Sequence, residues 1–174
     1  MTVESSAPPL VLTLKLAQPA FERFDALRRA HFPPERNVIP AHLTLFHALP
    51  GEHLPAIRQT LAAACAAAPA LPLRFPAPRS LGRGVAIVVD SPALIALRAR
   101  LAAAWGSWLS AQDRQGYRPH ITIQNKVAPE QARLLQAELA GAWVPFETLG
   151  EGLLLWRYLG GPWELLEEFR FAAA

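Results

Sequence analysis

The sequence predicts a mixed α+β fold built twice over, two lobes related by a pseudo-twofold axis. Three observations predict it. Stretches of period-2 alternation take turns with stretches of helical periodicity along the chain. Each half runs in the same order: helix, loop, a proline shortly before a histidine, strand, helix opening near a proline, two more strands. The central strand of each half carries the same tetrad, His42-Leu43-Thr44-Leu45 in one and His120-Ile121-Thr122-Ile123 in the other. With 174 residues, 52% of them hydrophobic, the chain is long enough for one core or two small lobes sharing one. A single domain over residues 1–174 is therefore expected, its lobes formed by the halves 10–90 and 91–174.

Leu10, Leu12, Leu14 and Leu16 alternate with Val11, Thr13 and Lys15, the pattern of a first strand. A helix follows over 19–31 and stops at Pro33-Pro34, and the residues 41–48 then read as the first tetrad strand. The second helix spans about 53–68, with Pro55 in its first turn and Ile57, Leu61, Ala64, Cys65 and Ala68 at helical spacing. Strands are predicted over 71–80 and 85–90, separated by Gly82-Arg83-Gly84. Ser91-Pro92 reads as an N-cap followed by proline at the first helical position. The third helix puts Leu94, Leu97, Leu101, Trp105 and Trp108 on one stripe, which marks a core face. A polar loop over 110–116 leads through Tyr117-Arg118-Pro119 into the second tetrad, and Pro129 opens a short fourth helix. Strands over 144–149, 153–159 and 163–171 close the chain.

The formal charge of +3 suits an anionic substrate but falls short of the clustered Lys/Arg tracts of duplex binders, and only Lys15 and Lys126 are lysines. Cys65, without a disulfide partner, reads as a small buried helix residue compatible with a reducing cytoplasm. Residues 1–9 lack the basic flank and apolar stretch of a signal peptide, and the longest apolar run, 61–73, is short and broken by Pro69 and Pro72. A cytoplasmic monomer is expected, with no membrane contact and no protein partner.

In a strand, each tetrad histidine and the threonine two residues on project from one face, roughly 7 Å apart, while the apolar pair projects from the other. From composition alone one such tetrad has a probability of about 0.02, and two on the order of 10⁻⁴. A single copy is readily explained as a half-buried strand whose histidine bonds a neighbouring backbone group; repetition favours chemistry. Cleaving a phosphate diester needs one proton taken from the attacking oxygen and another given to the leaving oxygen. Two imidazoles with an ordinary pKa near 6.5 supply both, and two hydroxyls hold the non-bridging oxygens. His42 and His47, five apart, are expected on opposite faces of their strand, no ligand cluster accompanies them, and no metal is expected. No Ser or Cys stands in a nucleophile turn, and Gly82-Arg83-Gly84 is too short for a phosphate loop.

The paired motifs His42-Leu43-Thr44-Leu45 and Pro119-His120-Ile121-Thr122-Ile123, about eighty residues apart and each followed by a helix, resemble the two-histidine (2H) phosphoesterase superfamily, in particular its 2′-5′ RNA ligase-like branch. The ending from Leu155 to Glu164 also resembles that branch's closing strand pair. The resemblance implies a bilobal α+β fold of duplicated antiparallel sheets with helices outside and a central cleft. It implies metal- and cofactor-free action on 2′,3′-cyclic phosphates of RNA ends or small nucleotides, or on 2′-5′ linkages. His42 and His120 become the catalytic pair, the first as acid and the second as base, with Thr44 and Thr122 binding phosphate. Phe46, taken to continue the His42 face, is a candidate for stacking on a base, and Arg118 and Lys126, with Arg36 and Lys15 behind them, for meeting phosphate. His31, His47 and His53 are read as structural or exposed. The rival reading is a non-catalytic nucleotide- or RNA-binding module that uses the same cleft.

Overall fold

The computed structural model describes residues 7–172. Its four α-helices, α1 (Gln18–His31), α2 (Leu54–Ala67), α3 (Pro92–Trp105) and α4 (Pro129–Ala142), are each 14 residues long. All four open on a proline in the first turn, where the missing N–H is not needed and the fixed φ suits a helix. Ser91 caps α3 as its position predicts: its hydroxyl accepts from the Leu94 N–H at 3.1 Å and donates to the Pro72 carbonyl at 2.7 Å. The fourth helix, expected to be short, is as long as the others.

The strands are β1 (Leu10–Leu16), β2 (Leu43–Leu49), β3 (Leu71–Phe75), β4 (Pro78–Ser80), β5 (Val85–Val88), β6 (His120–Gln124), β7 (Phe146–Tyr158) and β8 (Trp163–Arg170). They form one curled antiparallel sheet in the order β3-β7-β1-β2-β6-β5-β4, with β8 on β7 and the helices packed outside. The seam lies where Leu43 of β2 pairs with Ile121 of β6. Outward from it, β1 and β7 on one wing mirror β5 and β4 on the other. Each wing therefore takes two strands from the other half of the chain, β7 and β8 on one side and β4 and β5 on the other, so the wings are not the segments 10–90 and 91–174. The helices cross over too, since α1 packs on β6, α4 on β4 and α2 on β8.

Two further differences from the sequence pattern have local causes. The strand expected over 71–80 is two strands, because β3 pairs with β7 and β4 with β5, and the chain changes wings at Pro76-Ala77. The strands expected over 144–149 and 153–159 are the single β7, with an irregular register against β1 at Gly150-Glu151-Gly152. Those glycines serve close approach rather than a turn: a Cβ on Gly150 would lie 2.9 Å from the Leu14 side chain, and one on Gly152 would lie 2.4 Å from the Phe169 carbonyl oxygen. The core beneath the sheet joins Leu94, Leu97, Leu101 and Trp105 of α3 to the apolar faces of β1, β2 and β6. Among the described residues no helix is long and apolar enough to cross a membrane.

Candidate active site

At the seam, Leu43 and Ile121 face the core, so the residues on either side of each face the opposite surface. The antiparallel register sets Thr122 opposite His42 and Thr44 opposite His120. The two tetrads thus form a square with a histidine at each end of one diagonal and a threonine at each end of the other. Directly opposed Cβ atoms stand about 5 Å apart and diagonal ones roughly 7–8 Å, a span that one phosphoryl group bridges. All four side chains line a cleft of about 410 Å³.

Each imidazole is oriented by its own chain. His42 Nδ1 lies 2.9 Å from the Pro40 carbonyl, and His120 Nδ1 lies 2.8 Å from the Arg118 carbonyl. A carbonyl only accepts, so both Nδ1 atoms carry the proton and both Nε2 atoms are left for a ligand. The rings differ in surroundings. Trp163 of β8 packs 4.8 Å from the His42 ring, centroid to centroid. Burial, reinforced by the nearby charges of Arg28, His47 and His120, outweighs the Pro40 hydrogen bond and lowers His42 to about 4. Burial lowers His120 as well, helped by Arg79 and His47 and opposed by its hydrogen bond to Arg118, but less far.

Two buried arginines hold the strands that carry the tetrads. Arg28 of α1 donates to the Thr122 carbonyl at 3.0 Å and to Asn37 Oδ1 at 2.9 Å. Arg98 of α3 donates to the Leu45 carbonyl at 3.2 Å and to the Asp113 carbonyl at 2.6 Å. Each helix thus clamps the tetrad strand of the opposite half. The Tyr117 hydroxyl adds a tie from the 110–119 loop to β2, donating to the Thr44 carbonyl at 2.8 Å.

Of the residues singled out in the sequence, His42, Thr44, Arg118, His120 and Thr122 line the cleft. Phe46 does not. It is fully buried, edge-on to Trp105 at 5.0 Å and under the Arg98 guanidinium at 4.2 Å. The cause is a bulge: Thr13 pairs with Thr44 but Leu12 with Phe46, so Leu45 and Phe46 oppose one residue of β1 and both turn inward. The same slip brings His47, expected on the opposite face, onto the cleft beside His42 and Thr44. Its Nδ1 donates to Asp113 Oδ1 at 3.0 Å, and Asp113 also accepts the His47 and Ala48 backbone N–H groups at 2.9–3.0 Å. Burial pushes the Asp113 carboxyl up, but these hydrogen bonds outweigh it and hold the group below its ordinary value.

Lys126 lies outside the cleft, on an exposed turn after β6 with φ 61°. Arg36 is exposed away from it, and Lys15 is paired with Glu168. Arg79 is an addition: β4 sets it in the row that runs through Ala86 to Thr122, on the cleft face. Nothing in a three-residue strand signals that placement. Among the described residues no group of three or more His, Cys, Asp or Glu forms a metal-binding set.

A family model described as the 2′-5′ RNA ligase superfamily matches residues 16–162. The chain belongs to the 2′-5′ RNA ligase superfamily. Solved structures share the superfamily's fold: TT0787 of Thermus thermophilus has a TM-score of 0.68 at 20% identity, covering 94% of this chain and 97% of that one. E. coli LigT complexed with 3′-AMP has a TM-score of 0.63 at 19% identity, over 95% of this chain and 99% of that one. LigT complexed with NADP+ gives 0.61 at 21% identity, over 95% and 98%. No curated protein sequence gives a significant match.

Proposed function

We propose that this superfamily member is a metal-independent phosphodiesterase that opens 2′,3′-cyclic phosphates of RNA ends or nucleotides, or related 2′-5′ linkages. The observation that carries the reading is the square at the seam, two Nε2 atoms on one diagonal and two hydroxyls on the other. Support comes also from the 3′-AMP complex of LigT, a protein of like fold. The substrate phosphorus sits between the imidazoles, with Thr44 and Thr122 donating to its non-bridging oxygens as charge builds there.

The resemblance assigns His42 as acid and His120 as base; the surroundings of the rings favour the reverse for hydrolysis. His42, packed under Trp163, is the harder of the two to protonate, and His120 takes a proton first. His42 Nε2 accepts a proton from water, whose oxygen bonds to phosphorus. The bond from phosphorus to one ribose oxygen breaks, and that oxygen takes the proton from His120 Nε2. The product is a phosphomonoester, and proton exchange with solvent resets both rings.

Turnover of nucleoside 2′,3′-cyclic phosphates tests this directly. The wild-type protein is expected to hydrolyse them in the presence of chelator, and His42→Ala or His120→Ala to lose about 10³-fold or more in kcat with the fold intact by circular dichroism. Near-normal rates in either variant overturn the mechanism, and nucleotide binding without turnover favours a binding module.

A further inference from the structure

His47 and Asp113 have no part in the reaction just described, yet they form the most fully built polar contact in the cleft. We propose that His47, with Arg118, forms a second phosphate subsite, so that the preferred substrate bears a phosphate in addition to the one being opened. The inference rests on the proposed phosphodiesterase reading and specifies its substrate class.

Four observations carry it. The His47 side chain is 45% exposed on the cleft while Asp113 behind it is 1% exposed, so the carboxylate serves the ring rather than a ligand. Both Asp113 oxygens are occupied by the His47 ring and two backbone N–H groups, which fixes the imidazole with Nδ1 inward and Nε2 outward. Among the described residues Arg118 forms no ion pair, and it lines the cleft two residues before His120, on the side of His47. Among the described residues, no carboxylate but buried Asp113 lines the cleft. Arg79, level with Thr122 and His42, is placed for the diester itself, which leaves the Arg118 guanidinium, on the His47 side, without a partner.

Position agrees with charge. His47 follows Thr44 on the cleft face of β2, about one strand step of roughly 7 Å further out. That is comparable to the distance between neighbouring phosphates on one nucleotide. The second phosphate is then the 5′-phosphate of the same nucleoside, either as a terminal monoester or as the internal diester of an RNA chain.

The experiment compares three substrates: a nucleoside 2′,3′-cyclic phosphate with a free 5′-hydroxyl, the same compound 5′-phosphorylated, and a dinucleotide ending in the cyclic phosphate. The wild-type protein is expected to favour one or both phosphate-bearing substrates at least tenfold in kcat/KM. His47→Gln is expected to shrink that preference by tenfold through KM. A preference for the 5′-monophosphate alone identifies mononucleotides, and one that includes the dinucleotide identifies RNA ends. Equal use of all three, or a preference that survives in His47→Gln, overturns the subsite. A His47→Gln loss confined to kcat and equal on every substrate does the same. If no cyclic phosphate is hydrolysed, the phosphodiesterase reading fails by itself. Calorimetric binding of a nucleoside 3′,5′-bisphosphate against the 3′-monophosphate then decides the subsite: wild type but not His47→Gln should bind the bisphosphate at least tenfold tighter, and equal binding overturns it.

Discussion

The tetrads on β2 and β6 are alike in what holds them and unlike in what surrounds them. Each histidine donates Nδ1–H to the carbonyl two residues upstream, and each strand is clamped through a backbone carbonyl by an arginine from the first helix of the other repeat. Around β6 the pattern stops there. Around β2 a bulge adds His47, and β8 adds Trp163 against the His42 ring. One duplicated motif thereby yields two imidazoles of different proton affinity, which an acid and base pair requires. The shared part of the duplication fixes tautomers, and in the proposed mechanism the divergent part assigns roles.

Breaking the clamps is expected to give the largest effect. Arg28→Met and Arg98→Met each leave buried carbonyls without donors, and each should lower stability by about 2–4 kcal/mol in urea unfolding. The pair also separates structure from electrostatics. Arg28 opposes protonation of His42 and Arg98 does not, so Arg28→Met alone should raise the pH of the acidic limb of kcat/KM. Equal limbs in both variants would mean that the two arginines act only on the backbone.

Next in size are the hydroxyls. Thr44→Val and Thr122→Val keep shape and remove a donor, and each should cost about 10–100-fold in kcat with little change in KM. Equal losses are expected from the square's symmetry. A loss concentrated in KM would show that a threonine grips the ground state instead.

The two tetrads and the face each presents were legible in the sequence, because a period-2 strand fixes which residues share a face and a repeated tetrad needs no partner to be seen; their pairing into a square across one seam was not. Legible too were the prolines opening the helices and the apolar stripe of α3 as far as Trp105; Trp108, expected on it, lies in the 3-10 turn that follows and stacks on His53. Register was not legible. Whether Leu45 and Phe46 oppose one residue or two is decided by β1, so the bulge that buries Phe46 and exposes His47 leaves no mark in β2's own pattern. Asp113 sits in a polar stretch that reads as an ordinary loop, and its burial comes from β2 and Arg98, remote in sequence. Gly150 and Gly152 have the composition of a turn, and only the Leu14 and Phe169 contacts show why the strand runs through them.

Trp163→Ala gives the smallest effect and the sharpest comparison of the two histidines. Removing the indole readmits water to the His42 ring and should raise it from about 4 toward its ordinary 6.5, leaving His120 unchanged. In its proposed role as base, His42 must be unprotonated, so kcat/KM rises with pH through its pKa. The acidic limb should therefore move up by about one pH unit in the variant, while the alkaline limb, set by loss of the His120 proton, stays in place. Stability carries the same sign. His42 is held neutral in the fold but protonates freely in the unfolded chain, so the unfolded state binds more protons between pH 6.5 and 4. The stability this contributes is complete above 6.5 and lost as pH falls toward 4, on the order of 1 kcal/mol after screening by solvent. Urea midpoints at pH 7 and pH 4.5 should differ less for Trp163→Ala than for the wild type. Should the alkaline limb move instead of the acidic one, His42 is the acid, and the family's usual assignment holds for this chain after all.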